Sequence, residues 1–181
     1  MKIFDSTMLT VALAVGTISL AQAAPRAKDV SSERQAQALL SEVSGLAQSM
    51  TVAADQLAAD AKRTDVQEVE LARLDQIKDD INRIGKDLRT LENEKDSLSE
   101  WEREALDSIT PLMVDAAETT DQAFKTYDPN RSHLWATPFP SESAEIYKDA
   151  SKVNQIVGGY LRLAALRHRE QHLESAVGGS N

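Results

Sequence analysis

The stretch LDQIKDDINRIGKDLRTL, residues 74–91, decides the fold class of this chain. Its apolar residues recur at alternating spacings of three and four, at Leu74, Ile77, Ile81, Ile84, Leu88 and Leu91. That spacing places all of them on one side of an α-helix and leaves charged residues on the other side. Because most of the stability of such a helix comes from burying its apolar side, it needs partner helices. The stretch therefore predicts an all-α, antiparallel helical bundle with coiled-coil-like seams.

Seams of the same kind lie on both sides of this stretch. Toward the N-terminus, Leu39 to Leu57 repeats the spacing and predicts a helix over about 31–62, with Ser32 and Gln35 as a capping box. Toward the C-terminus the phase of residues 74–91 continues to Ala123, and a weaker seam predicts a last helix over about 142–175. The sequence shows no strand-like alternation and no internal repeat, so the prediction stays all-α.

Residues 66–127 allow two interpretations. In the first they form one long central helix bent near Pro111, which gives three helices. In the second a capping box at Ser97 and Glu100 starts a new helix, which gives a four-helix up-down bundle over about 31–62, 66–96, 98–127 and 142–175. Charged residues at the seam positions Lys95 and Glu102 favour four helices, whereas the lack of glycine or proline near residue 96 favours the long helix.

The four-helix form has one further consequence for the middle of the bundle. Antiparallel register brings the interior glycines and an interior proline to one level, at Gly45, Gly85, Pro111, Gly158 and Gly159. Relative to alanine, an interior glycine costs about 1 kcal/mol and an interior proline about 3 kcal/mol. We therefore expect one of two arrangements. Either the helices are less tightly packed at this level and form a small pocket, or the shared level is a coincidence and the glycines allow close helix packing.

Residues 1–23 have the features of a secretory signal peptide. Lys2 precedes an apolar run from Met8 to Leu20, and Ala21-Gln22-Ala23 supplies the small-x-small cleavage pattern. Cleavage after Ala23 would leave a flexible segment 24–30, a bundle domain 31–175 with a loop at 128–140, and a disordered tail 176–181. Since the chain has no cysteine, it can be neither a lipoprotein nor disulfide-linked. These features predict a periplasmic or secreted protein without a membrane anchor after cleavage.

The formal net charge of −9 limits the classes of partner. Nucleic-acid binding depends on neutralising phosphates with cations, so an acidic chain disfavours it. The same charge disfavours simple adsorption to anionic lipid.

The loop at 128–140 is the predicted binding site. Most of the aromatic residues lie in or beside it, and aromatic residues and arginine dominate binding hot spots. The candidate contact residues for a protein partner or small ligand are Arg131, His133, Trp135, Phe139, Tyr127 and Tyr147. In the alternative interpretation, Trp135 and Phe139 fold back and plug the end of the bundle.

No catalytic motif is readable in the sequence, so we predict a non-enzymatic protein without a cofactor. His168 and His172, one helical turn apart, are weak metal candidates, because neighbouring arginines disfavour a cation and HREQH lacks the glutamate of the HExxH motif. A haem held by Met50 and His168 would need a large shift of register. The leading hypothesis is a binding protein that uses loop 128–140. The alternatives are a self-associating structural or envelope protein and, below that, a metal-binding bundle.

Overall fold

The computed structural model describes residues 30–61 and 67–178, and these fold as four α-helices with two short 3-10 helices. The α-helices are α1 (Val30–Asp60), α2 (Gln67–Asn93), α3 (Glu100–Asn130) and α4 (Phe139–Gly178). The 3-10 helices are Lys95–Ser97 and Leu134–Ala136. Each α-helix packs against two others in the cyclic order α1, α2, α3, α4. The all-α bundle prediction is therefore confirmed, in its four-helix form.

Contacts at the two ends of the bundle establish its antiparallel register. At one end Gln35 of α1 bonds to Glu94, and Trp101 of α3 stacks on Tyr160 of α4 with ring centroids 6.3 Å apart. At the other end Thr126 of α3 donates to a Glu142 oxygen of α4 at 2.9 Å. Neighbouring helices therefore run in opposite directions, up-down-up-down.

The predicted seams form the core of the bundle. Five of the six seam residues in the stretch 74–91 are buried, and Ile81 is half-buried. In α1 the buried set begins at Ala36 and Leu40 rather than Leu39, which is only half-buried. Each helix thus buries one apolar side, as the spacing of three and four predicts.

The interpretation of residues 66–127 as one long helix is wrong. α2 ends at Asn93, the chain turns through Lys95–Ser97, and α3 begins at Glu100. Leu98 is buried in this turn and anchors it to the core. The elongated three-helix rod that favoured a self-associating structural protein is therefore absent from the described part of the chain.

The two charged seam residues stabilise this turn, although neither a glycine nor a proline occurs in it. The Lys95 ammonium bonds to Glu92 of α2 and to Asp107 of α3. Glu102 is buried and forms a capping box with Ser99, whose backbone N–H donates to Glu102 Oε2 at 2.6 Å. The predicted capping box at Ser97 and Glu100 is therefore displaced by two residues.

The prolines of α3 do not end the helix. Pro111 and Pro129 both lie inside Glu100–Asn130, so the predicted break at residues 128–130 is wrong. Pro129 is exposed and belongs to the last turn, so its missing N–H and its ring disturb only the end of the helix. α4 already begins at Phe139, so the connection is shorter than the predicted loop 128–140. α4 also continues to Gly178, past the predicted start of the tail at residue 176.

The predicted signal peptide and the segment 24–29 lie outside the described residues, as do residues 62–66 and 179–181. Among the helices of the described residues, none is both long enough and apolar enough to span a bilayer.

Candidate functional site: a groove between α2 and α3

A concave surface lies between α2 and α3. These two helices are the least closely packed of the four neighbouring pairs. The groove has a volume of about 700 Å³, which falls within the range of small-molecule sites. Its lining includes Ile81, Gly85, Leu88, Pro111, Met113, Val114 and Ala117.

The floor of the groove is apolar and belongs to the core. Leu88 and Met113 are almost fully buried, whereas Val114 on the wall is 51% exposed. An apolar wall with that exposure offers surface that a ligand can remove from water. The groove can therefore hold an apolar group without displacing any core side chain.

Gly85 and Pro111 line this groove together, as the register argument predicted for that level. A Cβ atom built at Gly85 would have one neighbour in range, Arg89 Nη1 at 3.6 Å. Built at Gly45, Gly158 or Gly159, it would meet nothing within 4 Å. Close helix packing therefore does not explain these glycines.

Charged residues surround one end of the groove. The Lys95 Nζ atom bonds to Asp107 Oδ1 at 2.8 Å and to Glu92 Oε1 at 3.3 Å, which joins α2 to α3 at that end. The hydrogen bonds to Asp107 and then Glu92 raise the pKa of Lys95 above its usual value. Arg89, by contrast, is exposed and forms no ion pair or hydrogen bond within the described residues. Its guanidinium is therefore available to an anionic group of a ligand.

The predicted loop surface keeps four of its six residues. Trp135 is 62% exposed and Tyr147 is 42% exposed. Arg131 is exposed, bonds to Asp128 at 2.9 Å and lies over the Tyr127 ring, 5.4 Å from its centroid. His133 is exposed, and its Nδ1 lies 2.9 Å from Ser132 Oγ.

The other two predicted contact residues, Tyr127 and Phe139, are core residues. Both are fully or almost fully buried, and their ring centroids lie 6.0 Å apart. They plug the end of the bundle together with the buried Leu134, so a partner could not reach them. Burial, followed by the charge of Glu70, raises the pKa of Tyr127 above its usual value.

The predicted histidine pair lies near the end of α4. His168 is exposed and lines a small depression of about 190 Å³ with Trp101 and Arg167, whereas the side chain of His172 is outside the described residues. Among the side chains that the structure describes, no group of three or more His, Cys, Asp or Glu residues could hold a metal ion.

Several carboxylates lie in the core, which the sequence did not reveal. Glu70 is fully buried with neither oxygen hydrogen-bonded, and Asp80 and Asp87 are more than nine-tenths buried. Burial raises the pKa of both Glu70 and Asp87. The apolar spacing of residues 74–91 predicts charged residues on the opposite, outer side, and Asp80 and Asp87 depart from that prediction. A signal was present in the helical phase, because Asp80, Asp87 and the buried Leu91 recur on one side of α2.

No family model, no curated protein and no solved structure matches this chain.

Proposed function

We propose that this chain is a non-enzymatic binding protein, and that the groove between α2 and α3 holds an amphipathic ligand. The ligand would place an apolar body over Leu88, Met113 and Val114, and a carboxylate or similar anionic group beside Arg89. The observation that carries the proposal is the combination of an apolar floor with a guanidinium that has no described partner. We further propose, from residues 1–23 alone, that the protein acts outside the cytoplasm.

The size and composition of the groove support this ligand class. Ligand sites are mostly apolar, and a few polar groups fix the orientation of the ligand. A strongly polar ligand would lose water over the apolar floor without gaining hydrogen bonds there. A purely apolar ligand would leave Arg89 unused.

Calorimetric titration with dodecanoate tests the proposal, because this fatty acid combines an apolar chain with a carboxylate. Gly85→Leu should abolish binding, since the new side chain would occupy the groove. Leucine also favours a helix more than glycine does, so the fold should survive. Gly45→Leu is the matched control, because it introduces the same side chain on α1, where a Cβ meets nothing within 4 Å.

Arg89→Gln distinguishes the contribution of the carboxylate to binding from that of the apolar chain. It should weaken binding of dodecanoate about 10-fold and change the binding of dodecanol little, because only the carboxylate uses the guanidinium. If Gly85→Leu and Gly45→Leu bind dodecanoate equally well, the groove is not the site.

A second candidate is a protein contact through the exposed part of the connection between α3 and α4. Trp135, with 62% of its surface exposed, is the observation that favours it. In this form of the hypothesis the contact surface is Arg131, His133, Trp135 and Tyr147. Pull-down from an envelope fraction with wild type and with Trp135→Ala tests it, and an unchanged set of bound proteins would contradict it.

A further inference from the structure

Basic residues are concentrated on α4, although the chain as a whole is acidic. Between residues 148 and 169 there are five Lys or Arg residues and a single acid, Asp149. The five are exposed and form no ion pair within the described residues, and they are Lys148, Lys152, Arg162, Arg167 and Arg169. Because salt screens charges beyond about 8 Å, this local charge acts on a nearby surface even though the net charge is −9.

Exposed leucines accompany these basic residues. Leu163, Leu166 and Leu173 are 52%, 55% and 66% exposed. Leu166 follows the buried Val157 by nine residues, which is two and a half helical turns, so it points away from the core. Arg162 lies on the same outward side. Glu170 follows Leu166 by four residues and therefore lies on the outward side as well, and Glu174 is the other acid of this end of α4.

We propose that the outward side of α4 binds an anionic phospholipid surface. A helix that presents leucines flanked by Lys and Arg is the arrangement of proteins that lie in the interface of a bilayer. Each cation near such a surface adds attraction, and the leucines can enter the boundary of the acyl chains. The side chains on this side of α4 protrude from the helix. A fluid bilayer can accommodate protruding side chains without a pocket of complementary shape.

A second copy of the chain fits this surface less well. If two α4 helices paired antiparallel with Leu163 opposite Leu173, then Arg167 and Arg169 would face the same arginines of the other copy. Like charges directly opposite each other are destabilising, as they are within a single helix. The charge of this surface calls for an anionic partner, which the α4 surface of a second copy does not supply.

Sedimentation with vesicles tests the proposal. The full chain should bind vesicles of equal parts phosphatidylglycerol and phosphatidylcholine, and it should bind pure phosphatidylcholine far less. Arg162→Gln combined with Arg167→Gln and Arg169→Gln should weaken binding on the order of 100-fold, since three cations are removed. Leu163→Gln with Leu166→Gln should weaken it as well.

Matched controls on other helices keep the test specific. Lys86→Gln with Arg103→Gln and Lys125→Gln removes the same charge from α2 and α3, and all three residues are exposed. Val52→Gln with Val69→Gln removes exposed apolar residues from α1 and α2. Every variant carries the same residues 1–29, so any contribution of that segment to vesicle binding cancels between variants.

Four results would overturn the proposal. They are equal binding to both kinds of vesicle, equal losses for the α4 variants and their controls, no sedimentation of the wild type with phosphatidylglycerol, and a dimer that Leu163→Gln with Leu166→Gln converts to a monomer. The last two would point to an acidic protein and to a second copy, respectively.

Discussion

Replacing Glu70 with glutamine should stabilise the protein at neutral pH. The Glu70 side chain is fully buried near the start of α2, and neither of its oxygens has a hydrogen-bond partner. A buried polar group without a partner costs about 1–3 kcal/mol, and more when it is charged. The positive end of the α2 dipole offsets about 0.3–1 kcal/mol of this cost. Because the amide keeps the shape and removes the charge, we expect a net gain of about 1–2 kcal/mol.

The pH dependence of this gain follows from the direction of the pKa shift. Burial raises the pKa of Glu70 above 4.5, so the folded protein binds this proton more tightly than the unfolded chain does. The stability of the wild type is therefore highest, as far as this group is concerned, below pH 4.5, and it falls as the pH rises through the folded pKa. Glutamine does not titrate, so the advantage of Glu70→Gln should shrink as the pH is lowered toward 4.5.

Urea denaturation of the two proteins between pH 4.5 and pH 8 measures both effects. Glu68→Gln is the matched control, because Glu68 lies in the same first turn but is exposed. It should leave the stability unchanged or lower it slightly, since only the dipole interaction is lost. The reasoning would be refuted if Glu70→Gln were less stable than wild type at pH 7, or if its advantage were the same at every pH.

Two further predictions concern the connection between α3 and α4 and the interior glycines. Phe139→Ala should lower the free energy of unfolding by about 3–5 kcal/mol because it opens a cavity, whereas Trp135→Ala should change it by less than about 0.5 kcal/mol. Urea denaturation checks this, and comparable losses would mean that Trp135 also packs in the core. Gly45→Ala and Gly159→Ala should each raise stability by up to about 1 kcal/mol, because a Cβ there meets no atom within 4 Å. Thermal melts measure this, and a lower melting temperature for either variant would contradict the open surroundings.

The sequence predicts the architecture well because the core residues of a helical bundle recur at regular short spacings along the chain. Leu74, Ile77 and Ile84 are buried for the same reason that they recur at three and four residues. The sequence distinguishes three helices from four less clearly, since no glycine or proline marks the turn. The charged seam residues Lys95 and Glu102 carried that information, because Lys95 lies in the turn and Glu102 caps the helix that follows it.

In the predicted binding loop, the local sequence does not predict which aromatic residues are buried. Tyr127, Trp135 and Phe139 are all aromatic and lie close together in sequence, yet two are buried and one is mostly exposed. Their burial depends on how the end of α3 meets the start of α4. That meeting depends on Pro129 remaining within the helix, which reverses the usual interpretation of Asp-Pro-Asn as a turn.

The residue types at positions 85 and 111 leave open the groove that the proposed ligand would occupy. Gly85 of α2 and Pro111 of α3 both line the groove, and neither has a long side chain that could close the space between the helices. Packing does not require glycine at residue 85, because an added Cβ would be in ordinary contact with Arg89 alone. Alanine there would stabilise α2 by up to about 1 kcal/mol, and larger residues would fill the groove. Glycine at position 85 lowers the stability of α2 and keeps the groove open. We therefore attribute it to access for a ligand, because the fold does not require it. Comparing Gly85→Ala with Gly85→Leu tests this distinction, because the alanine variant should gain stability and keep dodecanoate binding while the leucine variant loses binding.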